Sequence, residues 1–113
     1  MLTYIAGPFS QGNTDANVRR AINAAAELDL HGIFSIVPHR NRLDELLGHE
    51  RPYARWLAED LDILVRCDAV LRIEGESPGA DCECDTAEAA GIPVFTDVGA
   101  LVAFRNKREG GAA

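Results

Sequence analysis

Two acidic residues of this chain stand where the surrounding pattern is apolar, and they carry most of its chemical potential. The first lies in Ser77-Pro78-Gly79-Ala80-Asp81-Cys82-Glu83-Cys84-Asp85-Thr86-Ala87-Glu88-Ala89-Ala90-Gly91-Ile92-Pro93-Val94. Ser-Pro suits a helix N-cap and first helical position, and Gly91 suits the position past the helix end. Ala80, Glu83, Ala87 and Ala90 fall at i, i+3, i+7 and i+10, so they share a face whose small side chains let the helix lie close to a sheet. Asp81, Asp85 and Glu88 take other angles and can be solvated. Glu83 points with the alanines, so it must meet a ligand, a partner or a costly desolvation, unless it sits at the edge of the stripe and reaches water. The second acid is Asp60, in the middle of a stripe formed by Tyr53, Trp56, Leu57, Leu61 and Leu64.

Two carboxyl groups in different surroundings can divide their roles. One stays ionised as nucleophile or electrostatic stabiliser, while the other, desolvated, keeps a proton and acts as general acid. That division suits cleavage of a glycosidic bond, whose transition state carries positive charge on the sugar. No Ser-His-Asp set, GxxxxGK[ST] loop or GxGxxG fingerprint competes with it. Cys82-x-Cys84 is a poor metal signal, because thiols two residues apart on a helix diverge by about 200 degrees and no second Cys/His pair stands at ligand spacing. The reading therefore calls for no metal and no cofactor.

The elements that must position these acids follow from periodicity. Leu2 to Ala6 is short, apolar and bounded by Gly7-Pro8, which suits a buried parallel strand. Thr14 or Asp15 can cap a helix whose stripe is Val18, Ala21, Ile22, Ala25 and Leu28, stopped by Gly32. Ile33 to Val37, Ala69 to Ile73 and Pro93 to Thr96 read as further strands. A helical pattern runs from Tyr53 to Arg66, a short turn of helix fits Leu43 to Leu47, and Asp97 can cap a last helix through Phe104. The connection from Pro38 to Pro52, with His39, Arg40, Arg42, His49 and Arg51, is long for so small a domain, and such connections tend to be functional. Strand and helix alternate, which predicts a single-domain Rossmann-like (flavodoxin-like) α/β fold over residues 1–105. Its parallel sheet has four to five strands with helices on both faces, and 106–113 are expected to be a disordered tail. In such sheets ligands gather beyond the carboxyl ends of the strands, where Gly7 to Asn13, Pro38-His39 and Glu74 to Gly79 converge.

Composition narrows the function classes. A chain of 113 residues with 47% hydrophobic content has room for one core. A formal net charge of -7, without a run of lysine or arginine, argues against a nucleic acid polymer as partner. No apolar segment approaches the roughly 20 residues of a membrane span, and no signal peptide is visible, so the expectation is a cytoplasmic protein without a membrane partner. Cys67, Cys82 and Cys84 then read as small, free, buried or half-buried thiols.

Several short motifs occur in an order shared with a known family. Tyr4-Ile5-Ala6-Gly7-Pro8 ends the first strand, Asp60 precedes Asp68 by eight residues, and Ser77-x-Gly79-x-x-x-Glu83 leads an alanine-rich helix that ends Gly91-Ile92-Pro93-Val94. From about Leu2 to Asp97 the chain resembles the nucleoside 2-deoxyribosyltransferase superfamily. That superfamily includes a 2'-deoxynucleoside 5'-phosphate N-hydrolase branch and many small bacterial and phage members. The resemblance implies that Glu83 is the nucleophile that forms a glycosyl-enzyme ester, that Asp60 protonates the departing base, and that Tyr4 orients the nucleophile. It further implies that Gly7, Pro8, Phe9 and Ser10 border the sugar, that Ser77 and Gly79 offer donors near its 5' end, and that His39 borders the base. As a residue type, His39 reads equally well as a solvated loop histidine.

The ligand implied is a nucleoside or nucleoside 5'-monophosphate, and the assembly a homodimer or higher homo-oligomer. Departures from the family pattern bear on the phosphate. Ser77 stands where many transferases of free nucleosides carry an acid, which leans toward the phosphate-tolerant branch, yet Pro8-Phe9-Ser10 lacks that branch's arginine. Arg19, Arg40, Arg42, Arg51 and Arg55 are the candidate replacements. A non-catalytic nucleotide-binding module on the same scaffold is the alternative. A third reading, the cytokinin-type phosphoribohydrolases, rests on Pro78-Gly79 before a glutamate and lacks their second glycine.

Overall fold

In the computed structural model, which describes residues 1–110, the buried apolar run Leu2–Ala6 forms the inner strand β1. It pairs in parallel with β2 (Phe34–Ile36) on one side and β3 (Ala69–Arg72) on the other, Tyr4 standing opposite both Ile36 and Val70. β3 pairs in parallel with β4 (Val94–Phe95), giving the order β2-β1-β3-β4. Five helices connect and cover the strands: α1 (Thr14–Leu30), α2 (Asn41–Leu46), α3 (Tyr53–Leu64), α4 (Pro78–Ala89) and α5 (Val98–Glu109). This is the expected flavodoxin-like parallel α/β domain, with four strands. The order of strand addition reverses between β1 and β3, so the crevice above their carboxyl ends is where a ligand belongs.

The two-residue period of the strands divides the core. Ile5, Ala69 and Leu71 face Ala21 and Leu28 of α1 and Leu101 of α5. Tyr4, Ala6 and Val70 face the other way, against Leu64 of α3 and Ala80 and Ala87 of α4. Tyr4 is thus on the side of the sheet that carries both acidic helices. Among the described residues no helix is long and apolar enough to cross a membrane, and all three cysteines are free.

Several boundaries differ from the pattern reading. Asn13 caps α1 in place of Thr14 or Asp15, accepting from the Ala16 amide at 2.9 Å. On α1 Val18 and Ala25 are only half-buried and Ile22 is 39% exposed, whereas the polar Asn17 is buried. Its side-chain amide donates to the carbonyls of Phe9 (2.9 Å) and Gln11 (2.7 Å), and so folds the β1–α1 loop back onto the helix. Chain beyond Pro38 makes one 3-10 turn, Pro38–Arg40, before α2 starts at Asn41, earlier than the expected Leu43.

α5 continues past Phe104 to Glu109, so residues 106–109 are helix where a tail was expected. Three contacts hold this end: Arg105 donates to the His31 carbonyl at 2.7 Å, Arg108 to Asp68 at 3.1 Å, and the N-terminal ammonium lies 3.2 Å from Glu109. The rest of that expected tail, 111–113, lies outside the described residues.

Candidate active site

α4 brings Glu83 to the sheet. Ser77 caps it, its hydroxyl oxygen accepting from the Ala80 amide at 3.1 Å, and Pro78 occupies the first helical position, where an N–H has no helical partner. Ala80 and Ala87 are buried against the strands and Glu83, on the same face, is 8% exposed. Ala90 of the expected face is exposed at the helix end. Tyr4 is fully buried at the centre of the sheet, and its hydroxyl donates to Glu83 Oε2.

A phenol in that position satisfies part of a buried carboxylate's demand for donors and fixes which way the carboxylate points. Burial nevertheless dominates: it raises the Glu83 pKa to about 7, with the negative charge of Asp60 pushing further up and Tyr4 and Arg72 pulling down. Burial and the Glu83 charge also raise the Tyr4 pKa, so the phenol keeps its proton.

Asp60 comes from the middle of α3, half-buried. Loss of solvent raises its pKa to about 6, with neighbouring Glu59 adding to the rise and Arg51 opposing it. Both acids line one cavity of about 380 Å³, together with Gly7, Phe9, Ser10 and His39. The crevice lies above β1, as the switch point requires.

Four of the expected residues are not on its wall. Tyr4 lies beneath it, behind Glu83. Pro8 supports it from outside, its carbonyl 3.0 Å from His39 Nε2. Ser77 is engaged by its cap bond. Gly79 abuts Tyr53, whose hydroxyl would lie 3.1 Å from a Cβ at that position.

His39 is buried, not a solvated loop histidine: it is 4% exposed and packs edge-on to Phe9, ring centroids 6.1 Å apart. Burial lowers its pKa, so the ring is neutral and Nε2–H donates to Pro8, which ties the 3-10 turn before α2 to the β1–α1 loop. Asp68, the other acid of the spaced pair, is structural. It accepts from the Leu2 amide at 2.7 Å and from Arg108, and its pKa is lowered first by the Leu2 N–H.

Of the charged and aromatic residues on the remaining wall, only Arg51 was singled out in the sequence as a candidate ligand. Glu45 of α2, Glu50 and Arg51 of the loop, and Tyr53 and Trp56 of α3 complete it with Ile5, Pro38 and Asn41. Tyr53 and Trp56 belonged to the apolar stripe of α3, but Tyr53 is 67% exposed and both line the cavity. The Arg51 guanidinium stacks 3.8 Å above the Trp56 ring and donates from both Nη atoms to Glu59 at 2.9 and 3.0 Å. Two carboxyl groups, one solvent-poor and tied to a phenol and the other half-open, beside a crevice of small-molecule size, can handle a proton and a developing cation at one centre.

Comparison with known proteins agrees with this architecture. A 2-deoxyribosyltransferase from the psychrotolerant bacterium Bacillus psychrosaccharolyticus superposes with a TM-score of 0.61 at 20% identity, covering 83% of this chain and 69% of that one. A 2-desoxiribosyltransferase from Leishmania mexicana gives a TM-score of 0.60, also at 20% identity, covering 83% of this chain and 61% of its own, so the present chain spans less than two thirds of that protein. At such identity the likeness is one of fold. No curated protein matches the sequence. The model of a family described as Domain of unknown function (DUF4406) matches residues 1–96, and the chain belongs to that family.

Proposed function

We propose that this protein is a relative of the 2-deoxyribosyltransferases in activity as well as fold, and that it cleaves the N-glycosidic bond of a nucleoside or nucleoside 5'-monophosphate. The observation that carries the reading is the pair Glu83 and Asp60 on the wall of one cavity at the switch point, with Tyr4 donating to Glu83. In the first half-reaction the Glu83 carboxylate attacks the anomeric carbon. The carbon–nitrogen bond breaks, its electron pair leaves with the base, and Asp60 gives that base a proton. An ester between sugar and Glu83 remains. A second base or water, losing a proton to the Asp60 carboxylate, then displaces Glu83 from the anomeric carbon. The acceptor alone separates transferase from hydrolase.

Tyr4 orients the nucleophile, Gly7, Phe9 and Ser10 border the sugar, Pro8 supports that border, and His39 holds the adjoining loop beside the base. Ser77 and Gly79 act by building the start of α4. No metal or cofactor is needed for these steps. A homo-oligomer is part of the same proposal, supported by the exposed apolar side chains of Leu43, Leu46 and Leu47.

Incubation with a panel of nucleosides and monophosphates, with and without a second free base, tests the reading by chromatography of released base. Glu83→Ala abolishes release, and Asp60→Asn slows it most for poor leaving groups. Undiminished release in Glu83→Ala refutes the mechanism. Tight binding with no release over many hours identifies a binding module instead.

A further inference from the structure

Resting on that reading, we infer that the cavity selects an uncharged nucleoside and rejects its 5'-monophosphate, because its wall opposes a second anion. Four carboxyl groups line it, Glu45, Glu50, Asp60 and Glu83, against one guanidinium, that of Arg51. Arg51 is already committed. Both Nη atoms hold Glu59 Oε2 and its face lies on Trp56, so turning it to a phosphate breaks an ion pair and a stacked contact.

Arg42, Arg72 and Arg20 are committed too, and of the other candidate arginines Arg19, Arg40 and Arg55 none lines the cavity. Arg42 is shared between Asp15 (3.3 Å) and Glu45 (3.1 Å), Arg72 holds the Gly75 carbonyl and Asp81 at 3.0 Å each, and Arg20 donates to the Glu74 carbonyl. Glu50, on the exposed loop, has no ion-pair partner among the described residues.

The helix end that could hold an anion is also narrowed. At the start of α4 the Ala80 amide is taken by Ser77, Pro78 has no N–H, Tyr53 lies against Gly79, and Asp81 supplies negative charge in the first turn. An open helix N-terminus attracts phosphate through free amides and the positive end of the dipole; here one amide is capped and another is missing. Ser77, which in sequence leans toward the phosphate-tolerant branch, is a cap residue here. A hydroxyl at the 5' end meets these carboxylates as a donor, whereas a phosphate meets them as a charge of the same sign.

The test compares 2'-deoxynucleosides with their 5'-monophosphates, by base release and by calorimetric binding to the unmodified protein. The expected result is at least about tenfold preference for the nucleoside at about 20 mM salt, narrowing severalfold at about 500 mM as the charges are screened. Glu50→Gln is expected to narrow the low-salt gap as well. Equal or better handling of the monophosphate overturns the inference while leaving the glycosidase reading intact. A preference that ignores both salt and Glu50→Gln overturns its electrostatic basis. If neither ligand is bound or cleaved, the glycosidase reading itself has failed and takes the inference with it.

Discussion

At the residue scale the two acids rank opposite to the roles proposed for them. Glu83 must be ionised to attack and Asp60 protonated to donate, yet in the free protein Glu83 holds its proton to about 7 and Asp60 to about 6. The productive pair is then the minority microstate, roughly 5% of molecules midway between the two values. It is most populated between them, so kcat/KM should follow a bell with limbs near about 6 and about 7 and an optimum near about 6.5. A pH series of base release checks this, and activity that rises steadily to pH 9 contradicts it.

The same burial carries a stability cost whose sign can be worked out. The folded-state pKa of Glu83 lies above its ordinary 4.5, so the native state binds more protons across the window from 4.5 to about 7. Stability therefore falls as pH rises through that window and levels off above it. Glu83→Gln removes the effect and should be more stable than the native protein by roughly 2 kcal/mol at pH 8, with no advantage at pH 4. Urea denaturation at the two pH values measures it. Glu83 was legible because its helical angle coincides with that of Ala80 and Ala87. Arg51 was legible only as one of five candidate arginines, and Glu45 and Glu50 were not, because they lie on a short helix and a loop whose approach to the cavity is decided by tertiary packing.

At the element scale the site depends on two loops in which a glycine of each lies against a side chain of the other. A Cβ at Gly7 would lie 2.9 Å from Ile73 Cβ, and one at Gly75 would lie 2.6 Å from Pro8 Cγ. Gly75 also has φ +129, a conformation that side-chain-bearing residues rarely adopt. Arg72 closes the arrangement by donating to Ile73 and Gly75 from the end of β3. The β1–α1 loop, which bears Gly7, Phe9 and Ser10, is thereby held in register with the loop leading into α4.

Gly75→Ala combines strain with a clash against Pro8 and should cost about 3 kcal/mol, with reduced base release because Phe9 and Ser10 shift. Gly91→Ala is the control. Its φ is +76 but nothing lies within 4 Å of the added Cβ, so its cost should be about 1 kcal/mol, with base release intact. Chemical denaturation beside the base-release assay separates the two effects. Element identities were legible from periodicity and caps, Ser77 and Asp97 above all. The end of α5 was not, since it is held by partners as distant in sequence as His31 and Asp68.

At the scale of the whole molecule, the alternation of strand and helix predicted the parallel sheet, but the strand order depends on which side of β1 each crossover lands. That choice puts β2 at one edge and leaves α2 beside it as a short helix with two faces. Asn41 and Glu45, one turn apart, line the cavity. Leu43 and Leu46 turn the other way, toward Val18 and Ile22 of α1, and remain 61% and 66% exposed. A face this apolar on a six-residue helix is poorly anchored by its own chain, and a second copy of the chain is the occupant that the proposed homo-oligomer supplies.

The prediction joins assembly to activity. Light scattering should give at least twice the monomer mass, and Leu43→Glu with Leu46→Glu should reduce it to one. Because the opposite face of α2 presents Glu45 to the cavity, the monomeric variant should lose base release severalfold while its far-UV circular dichroism is unchanged. A native protein that is monomeric at tens of micromolar, or a variant that is monomeric and fully active, would show that α2 is positioned without a neighbour and that the leucines serve some other contact.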